Sequence, residues 1–202
     1  MTSTPSTAPP PVGDHRQRLR AGLAEAMRRR DYHEITIADI VAGARTSKRT
    51  FYQHYTDKDA CLLDLMAHRL AEGQARIAAA VDRVLPWPVQ AQVAVTAWLD
   101  WVAEDPQLER SWWRATHTMG SAAREMIRGG LEQFVLLVGT LTDTPELHAA
   151  GVVPPSRERT VLVIGGLREL VVDALERDVD VRSLAEPATA VVRLLLGPVP
   201  GA

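Results

Sequence analysis

Apolar residues recur along this chain at the three- and four-residue spacing that places them on one face of an α-helix. The first such stripe lies between Asp14 and Arg30, under a surface rich in arginine, and consists of Leu19, Leu23, Ala26 and Met27. A second, shorter stripe follows Thr36, the expected N-cap of its helix, and consists of Ile37, Ile40, Val41 and Ala44. Since this periodicity is typical of amphipathic helices, we expect the chain to begin with two of them.

Helical patterns continue to the end of the chain. Ser47 is the expected N-cap of a third short helix, and Thr56-Asp57 begins a long helix that reaches about Leu85, where the prolines of segment 86–88 end it. Five further helices are predicted at about 88–104, from 106 onward, and at 121–141, 156–177 and 182–196, with residues 142–155 as the longest loop. No segment alternates like a strand, so the sequence predicts an all-α protein of about nine helices.

The composition narrows the class of protein. Hydrophobic residues make up 46% and charged residues 24%, which is ordinary for a soluble globular protein. The single cysteine, Cys61, excludes an internal disulfide and suits a reducing cytoplasm, where we expect it to be an inert, half-buried thiol. No apolar run approaches the roughly 20 residues of a membrane span. Residues 1–13 have neither charge nor an apolar stretch, which predicts a disordered tail instead of a signal peptide.

Charge is unevenly divided along the chain. Residues 14–58 contain ten Lys and Arg against six Asp and Glu, whereas the remaining residues contain thirteen against nineteen. A basic segment joined to an acidic remainder is typical of a protein that offers one end to a polyanion. We therefore divide the chain into a tail at 1–13, a basic domain at 14–58 and a larger helical domain at 59–202.

The third short helix and its surroundings carry the chemistry of a DNA-binding surface. Two short helices joined by a tight bend form a helix-turn-helix, whose second helix enters the major groove. Cations, hydroxyls and amides that can contact bases or phosphates are concentrated there, at Arg45, Ser47, Lys48, Arg49, Thr50, Tyr52, Gln53 and His54. Thr36 and Lys58, at two neighbouring helix starts, are expected to contact the flanking phosphates.

These residues resemble the DNA-binding motif of the tetracycline-repressor (TetR) family. The family's signature covers about fifty residues, and the matching positions run from Thr36-Ile-Ala-Asp39 through Ser47-Lys48-Arg49-Thr50-Phe51-Tyr52 to Tyr55 and Lys58-Asp59. The resemblance implies a homodimeric transcriptional regulator, usually a repressor, that binds double-stranded DNA at a palindromic operator and responds to a small effector. Arg45 and Arg49 stand where the family often has glycine, so the operator sequence read here is expected to differ.

The two closing helices are apolar on most of their surface, which predicts that they are buried on more than one side. A two-fold partner that completes a four-helix bundle is the economical solution, although neighbouring helices of the same chain are the alternative. The expected interface residues are Val161, Ile164, Gly165, Val172, Leu175, Val191, Val192 and Leu195.

Five tryptophans fall within residues 87–113, which suggests an apolar cavity for a small apolar or aromatic effector. The candidate lining residues are Trp98, Trp101, Trp113, His117, Met126, Phe134 and Arg168. Because neighbouring residues on a helix point about 100° apart, at most one of Trp112 and Trp113 is expected to face a cavity. Large side chains that fill an irregular helical core are the alternative, and the favoured one for any single tryptophan.

The sequence lacks the motifs of common enzyme classes. It has no nucleophile elbow, paired-histidine metal motif, Gly-rich phosphate loop or Cys-x-x-Cys, and its six histidines are scattered without ligand spacing. We therefore expect no enzymatic activity, metal or other cofactor, no membrane partner, and a cytoplasmic protein associated with the nucleoid. A helical carrier of lipids or small hydrophobic molecules, without DNA binding, is the alternative function.

Overall fold

The computed structural model describes residues 12–116 and 119–198, and within them every regular element is a helix. The α-helices are α1 Val12–Met27, α2 Ile37–Gly43, α3 Lys48–His54, α4 Lys58–Ala80, α5 Trp87–Ala103, α6 Pro106–Thr116, α7 Gly120–Thr142, α8 Pro145–Ala149, α9 Arg157–Glu176 and α10 Ala185–Leu196. Short 3₁₀ helices occupy Tyr32–Glu34 and Val181–Leu184. The prediction of an all-α fold is confirmed.

Three boundaries differ from the sequence-based expectation. Helix α1 begins at Val12, inside the predicted tail, whose residues 1–11 lie outside the described residues. Helix α4 ends at Ala80, five residues before the expected end. The predicted loop 142–155 contains a tenth helix, α8, because Thr144 accepts a hydrogen bond from the Leu147 amide and Pro145 follows the cap directly.

The structure forms two compact units that divide between Leu65 and Met66, within α4 and seven residues after the predicted boundary. We call the unit before this boundary the head and the unit after it the body. Fully buried apolar side chains in the head come from α1, α2, α3 and the start of α4, and include Leu19, Leu23, Ile40, Phe51 and Leu62. They hold the short helices α2 and α3, which are too short to be stable alone.

A close crossing of α1 and α2 sets the geometry of the head. A Cβ atom on Gly22 would lie 2.5 Å from the Ile40 carbonyl oxygen and 2.8 Å from the Ala44 amide nitrogen. A Cβ on Gly43 would lie 3.1 Å from the Cα of Gly22. Glycine at position 22 therefore permits an approach that any side chain would prevent.

The body has a core made mainly by α5, α9 and α10, with Leu99, Val163 and Val171 among its most buried side chains. Helix α7 is packed differently, since only Ala123 and Thr142 of its 23 residues are buried. None of the helices in the described residues has the length and apolarity of a membrane span.

Candidate functional site

The apolar residues of helix α3 are buried in the head and fix the helix, whereas its polar residues face solvent. Ser47 caps the helix by accepting a hydrogen bond from the Thr50 amide at 3.1 Å. Phe51 and Tyr55 are 0% and 4% exposed, so the opposite face of the helix is set toward solvent. That face consists of the exposed Lys48, Arg49, Tyr52 and Gln53, with Thr50 and His54 half-buried beside them.

The bend between α2 and α3 depends on an unusual backbone conformation at Arg45. Its φ of 49° lies in the left-handed region, which costs a residue with a side chain about 1–2 kcal/mol. The Thr46 amide donates to the Val41 carbonyl at 2.9 Å, which closes the C-terminus of α2. Arg45 itself is exposed, so this strained position places a cation directly before α3.

Thr36 starts α2 through a reciprocal capping box. Its hydroxyl accepts from the Asp39 amide at 3.3 Å, and its backbone amide donates to the Asp39 carboxylate at 2.8 Å. Hydrogen bonds from Thr36 and from the Arg30 guanidinium hold the pKa of Asp39 well below its usual range. The exposed Thr36 therefore stands at a fixed helix start.

The structure gives Lys58 a different role from the predicted phosphate contact. Its ammonium donates to the carbonyl oxygens of Tyr32, His33 and Ile35 at 3.1, 3.3 and 3.0 Å. The same Nζ atom lies 4.5 Å from the centre of the Tyr32 ring. Because an ammonium has three donors, these carbonyls use them all, and Lys58 ties the start of α4 to the 3₁₀ turn.

A carboxylate at the head's end of α4 completes this framework. Asp64 accepts a 2.6 Å hydrogen bond from the Tyr55 hydroxyl and a 3.4 Å one from Arg20. Burial and the bond to Asp64 raise the pKa of Tyr55, so the phenol stays protonated and donates. These contacts fix the residue after α3 against both α1 and α4.

Nearby Cys61 is fully buried, and burial raises the pKa of its thiol to about 12, so it is more enclosed than expected.

The body contains a partly open cavity of about 330 Å³, at the lower end of the size range of small-molecule sites. Helices α4, α5, α6, α7, α9 and α10 all contribute to its lining. Most lining residues are apolar, and Leu131, Phe134 and Val138 on the half-buried α7 belong to it. The incomplete burial of α7 thus has a structural reason: its apolar face borders space instead of core.

The structure brings five of the seven predicted ligand residues to this cavity, namely Trp98, Trp101, Trp113, Phe134 and Arg168. Met126 is half-buried and is not among the lining residues, whereas its neighbour Ile127 is. His117 lies outside the described residues.

The expectation that only one of Trp112 and Trp113 faces the cavity is wrong. Both line it, and their rings stack with centroids 4.8 Å apart and an interplanar angle of 9°. Rotation about the side-chain bonds brings the two indoles parallel although their Cα–Cβ bonds diverge.

Glu109 also lines the cavity and was not among the residues predicted from the sequence. Although only 3% exposed, it accepts hydrogen bonds at Oε1 from Arg69 Nε at 3.1 Å and from the same guanidinium's Nη2 at 2.7 Å. The Arg69 guanidinium also lies 4.4 Å from the centre of the Trp101 ring. Burial raises the pKa of Glu109, and Arg69 opposes that effect. Arg69 is forty residues earlier in the chain, so no local motif indicates this pair.

The predicted dimer-interface residues divide into inner and outer positions. Val161, Ile164, Gly165 and Val192 line the cavity, and Leu175 is 2% exposed within the core. Val172 and Leu195 are half-buried, and only Val191 is exposed. The large exposed apolar side chains of α9 and α10 are Leu162, Leu170, Val191 and Leu194. The outward stripe is therefore rotated from the predicted one.

Most of the head matches a known protein family. Residues 19–65 match the family model described as bacterial regulatory proteins of the tetR family. The match contains α2, α3 and the bend between them, and it confirms the resemblance seen in the sequence. Comparison with curated proteins gives no match.

Solved structures share the fold over nearly the whole chain. The fatty acid degradation regulator FadR from Bacillus halodurans superposes with a TM-score of 0.76 at 16% identity, over 96% of this chain and 99% of its own. FadR from Bacillus subtilis, in complex with stearoyl-CoA, gives 0.73 at 15% identity, over 91% and 98%. A tetR-family regulatory protein from Rhodococcus gives 0.67 at 18% identity, over 92% and 98%.

Proposed function

Since the chain carries a tetR-family domain at residues 19–65 on the fold of TetR-family regulators, we propose that it is a transcriptional repressor. It binds a palindromic operator in double-stranded DNA as a homodimer and loses affinity for that operator when a small apolar effector occupies the body. It acts in the cytoplasm, at the nucleoid.

The observation that carries this proposal is the exposed polar face of α3. Lys48 and Arg49 occupy the first turn, where side chains of a recognition helix reach base edges. Arg49 suits the acceptors of guanine, and Thr50 suits a hydroxyl contact or a thymine methyl. Tyr52 is 58% exposed although aromatic, so its hydroxyl is accessible to a phosphate or sugar.

The cations around α3 add a sequence-independent attraction. Arg45 precedes the helix, and Gln53 and His54 extend its polar face toward the flanking phosphates. The start of α2 at Thr36 offers the remaining amides of its first turn, because the hydroxyl and the amide of Thr36 itself already donate to Asp39. Lys58 is left out of the proposed contact set, because its donors are already used within the head.

Dimerisation is proposed on the outward stripe of α9 and α10. Leu162 and Leu194 are 68% and 77% exposed, which is costly for large apolar side chains on a monomer. Gly166, one helical turn after Leu162, is exposed and has open space at its Cβ position, so a partner helix can approach closely. Two such helix pairs related by a two-fold axis form a four-helix bundle.

Helix α4 provides the proposed link to an effector. Lys58 and Asp64 on its first turns belong to the head's framework, while Leu70, Gly73 and Ile77 on the same helix line the cavity. A ligand that favours one position of α4 changes the separation of two recognition helices, which must match half-sites about 34 Å apart. The stearoyl-CoA complex of the Bacillus subtilis relative supports an effector with a long apolar part.

DNA binding is tested with a labelled fragment from upstream of the protein's own gene, titrated at several salt concentrations. We expect saturable binding that weakens steeply with salt, and a loss of about 10- to 100-fold on replacing Lys48 and Arg49 by alanine. Arg177→Gln, an exposed change in the body, is the matched control and leaves the affinity unaltered. Ligand binding without retention of any genomic fragment would identify a carrier instead.

Dimerisation is tested by the paired change Leu162→Glu and Leu194→Glu, followed by sedimentation equilibrium. We expect a dimer to become a monomer, because the two carboxylates would be buried without partners. Leu136→Glu is the control, since Leu136 is 63% exposed on α7, outside the proposed interface. A wild-type monomer at micromolar concentration would refute the proposal.

A further inference from the structure

The charged groups of the cavity are few enough to define what it accepts. Among the described residues that line it, only Glu109 and Arg168 carry a formal charge. All other described lining residues are aliphatic, aromatic or glycine. A bound molecule therefore meets one carboxylate, one guanidinium and a large apolar surface.

The charge of the Glu109 carboxylate is already neutralised by Arg69. Arg69 donates two hydrogen bonds to one oxygen of Glu109, in a pair whose members are 13% and 3% exposed. A buried carboxylate held by a guanidinium offers little net charge to a second cation. A lipophilic cation would have to displace Arg69 or be buried without a counter-charge.

Arg168 is in the opposite situation. Its guanidinium carbon lies 5.3 Å from the centre of the Trp113 ring, and Trp113 stacks on Trp112, which makes a column of one cation and two indoles at the cavity wall. Within the described ranges 12–116 and 119–198, the contact made by this half-buried guanidinium is with an indole ring, and it has no acidic partner. Stacking on an indole holds the cation without neutralising it.

Other polar atoms at the wall are also donors. The indole Nε1 atoms of Trp101 and Trp112 are buried and have no acceptor among the residues that the structure describes. Both residues are at least nine-tenths buried and line the cavity. An unpartnered buried donor costs about 1–3 kcal/mol, which a ligand oxygen in reach would recover. The wall thus has donors and positive charge in excess of acceptors.

We propose that the effector of this protein is an organic carboxylate with an apolar body, whose carboxylate pairs with Arg168 on the Trp113–Trp112 column. This inference deepens the proposed function and rests on it, because it names the chemical class of the molecule that occupies the body. The apolar part lies along α7, where Phe134, Leu131 and Val138 border the cavity.

The test uses four probes with one apolar chain and different head groups: decanoate, decanamide, decylammonium and decanoyl-CoA. Binding to the full chain is measured by calorimetry and by quenching of tryptophan fluorescence, because four of the five tryptophans line the cavity. We expect decanoate to bind about tenfold more tightly than decanamide, from a charge-assisted hydrogen bond. Decylammonium is expected to bind most weakly of the four.

Variants of Arg168 assign the selectivity to this residue. Arg168→Gln should bring decanoate down to the affinity of decanamide while the affinity for decanamide changes less than about twofold, since only the charge contact is lost. Arg168→Lys should restore part of the preference for decanoate. The control is Arg177→Gln at the end of the same helix, an arginine 69% exposed and paired with Asp173, which should leave all four affinities unchanged.

Three outcomes would overturn the inference: equal binding of decanoate and decanamide, tightest binding of decylammonium or decanoyl-CoA, or undiminished selectivity in Arg168→Gln. Retention of upstream DNA is measured on the same preparations. Retention without carboxylate selectivity refutes the effector class and leaves the repressor proposal standing. Carboxylate selectivity without retention of DNA refutes the repressor proposal and leaves the carboxylate preference of the cavity standing.

Discussion

The head is about a third of the chain, yet it contains seven of the twelve largest fully buried side chains among the described residues, whereas the larger body contains five. In the head, Gly22 has no Cβ atom, and this allows α1 and α2 to come into direct contact. In the body, α7 leaves most of its apolar face beside open space. A surface that binds DNA must be held rigidly, whereas a cavity of the proposed ligand-binding kind must remain unfilled.

The only two phenylalanines of the chain allow this contrast to be tested directly. Phe51→Ala should destabilise the head by about 3–5 kcal/mol, because Phe51 is fully buried. Phe134→Ala should cost about 1 kcal/mol or less, because Phe134 is half-buried at the cavity. Urea unfolding followed by circular dichroism measures both changes, and tryptophan fluorescence follows the body alone. Equal costs would remove the proposed difference in packing.

The only two lysines sharpen the comparison within the head. Lys58→Met should lower the head's stability by about 1–2 kcal/mol, since three carbonyl oxygens lose a charged donor. Lys48→Met should leave stability unchanged and weaken DNA binding, because the exposed face of α3 loses one cation. Thermal unfolding and DNA titration of both variants separate the two roles. A Lys58 variant that is fully stable but defective in DNA binding would restore the original phosphate prediction.

Arg45 tests whether the head sacrifices stability for recognition. Arg45→Gly should raise the free energy of unfolding by about 1 kcal/mol, because glycine adopts a positive φ without steric cost. The same change should weaken DNA binding through loss of an exposed cation. Urea unfolding and DNA titration are run side by side, with Arg45→Asn as a second residue that tolerates this conformation. Unchanged affinity in both variants would remove Arg45 from the proposed contacts.

Cys61 provides the mildest probe of packing in the head. With a pKa raised to about 12 by burial, its thiol has almost no thiolate at pH 8, so iodoacetamide should react only when the head opens. Alkylation followed by mass spectrometry should be slow in the native protein and rapid in urea. Reaction of the native protein at the rate of a free thiol would contradict the burial of Cys61.

Local patterns predicted the helices and caps of the head because their causes lie within a few residues. Thr36 and Ser47 each bond to an amide three residues later, and the apolar stripes name the core. The role of Lys58 was not predictable in this way, since its acceptors lie 23 to 26 residues earlier and converge only in the folded head. The short helix α8 was missed because five residues show no periodicity.

In the body, periodicity identified the apolar helices. It did not show which side of each helix faces the core, the cavity or solvent. Val161 and Leu162 are equally apolar in the sequence, yet one lines the cavity and the other is exposed. The spacing of apolar residues cannot distinguish these sides when a helix is apolar on almost its whole surface. Glu109 was overlooked for a similar reason, because its significance depends on Arg69 in another helix.

One glycine of the head and one of the body differ in the room around them, and this has a consequence for substitution. Apart from its chain neighbours and the backbone of its own helix, no atom lies within 4 Å of a Cβ placed on Gly165, which borders the cavity. A methyl group at position 165 can therefore narrow the cavity without displacing a residue of another helix. Position 22, by contrast, admits no side chain between α1 and α2.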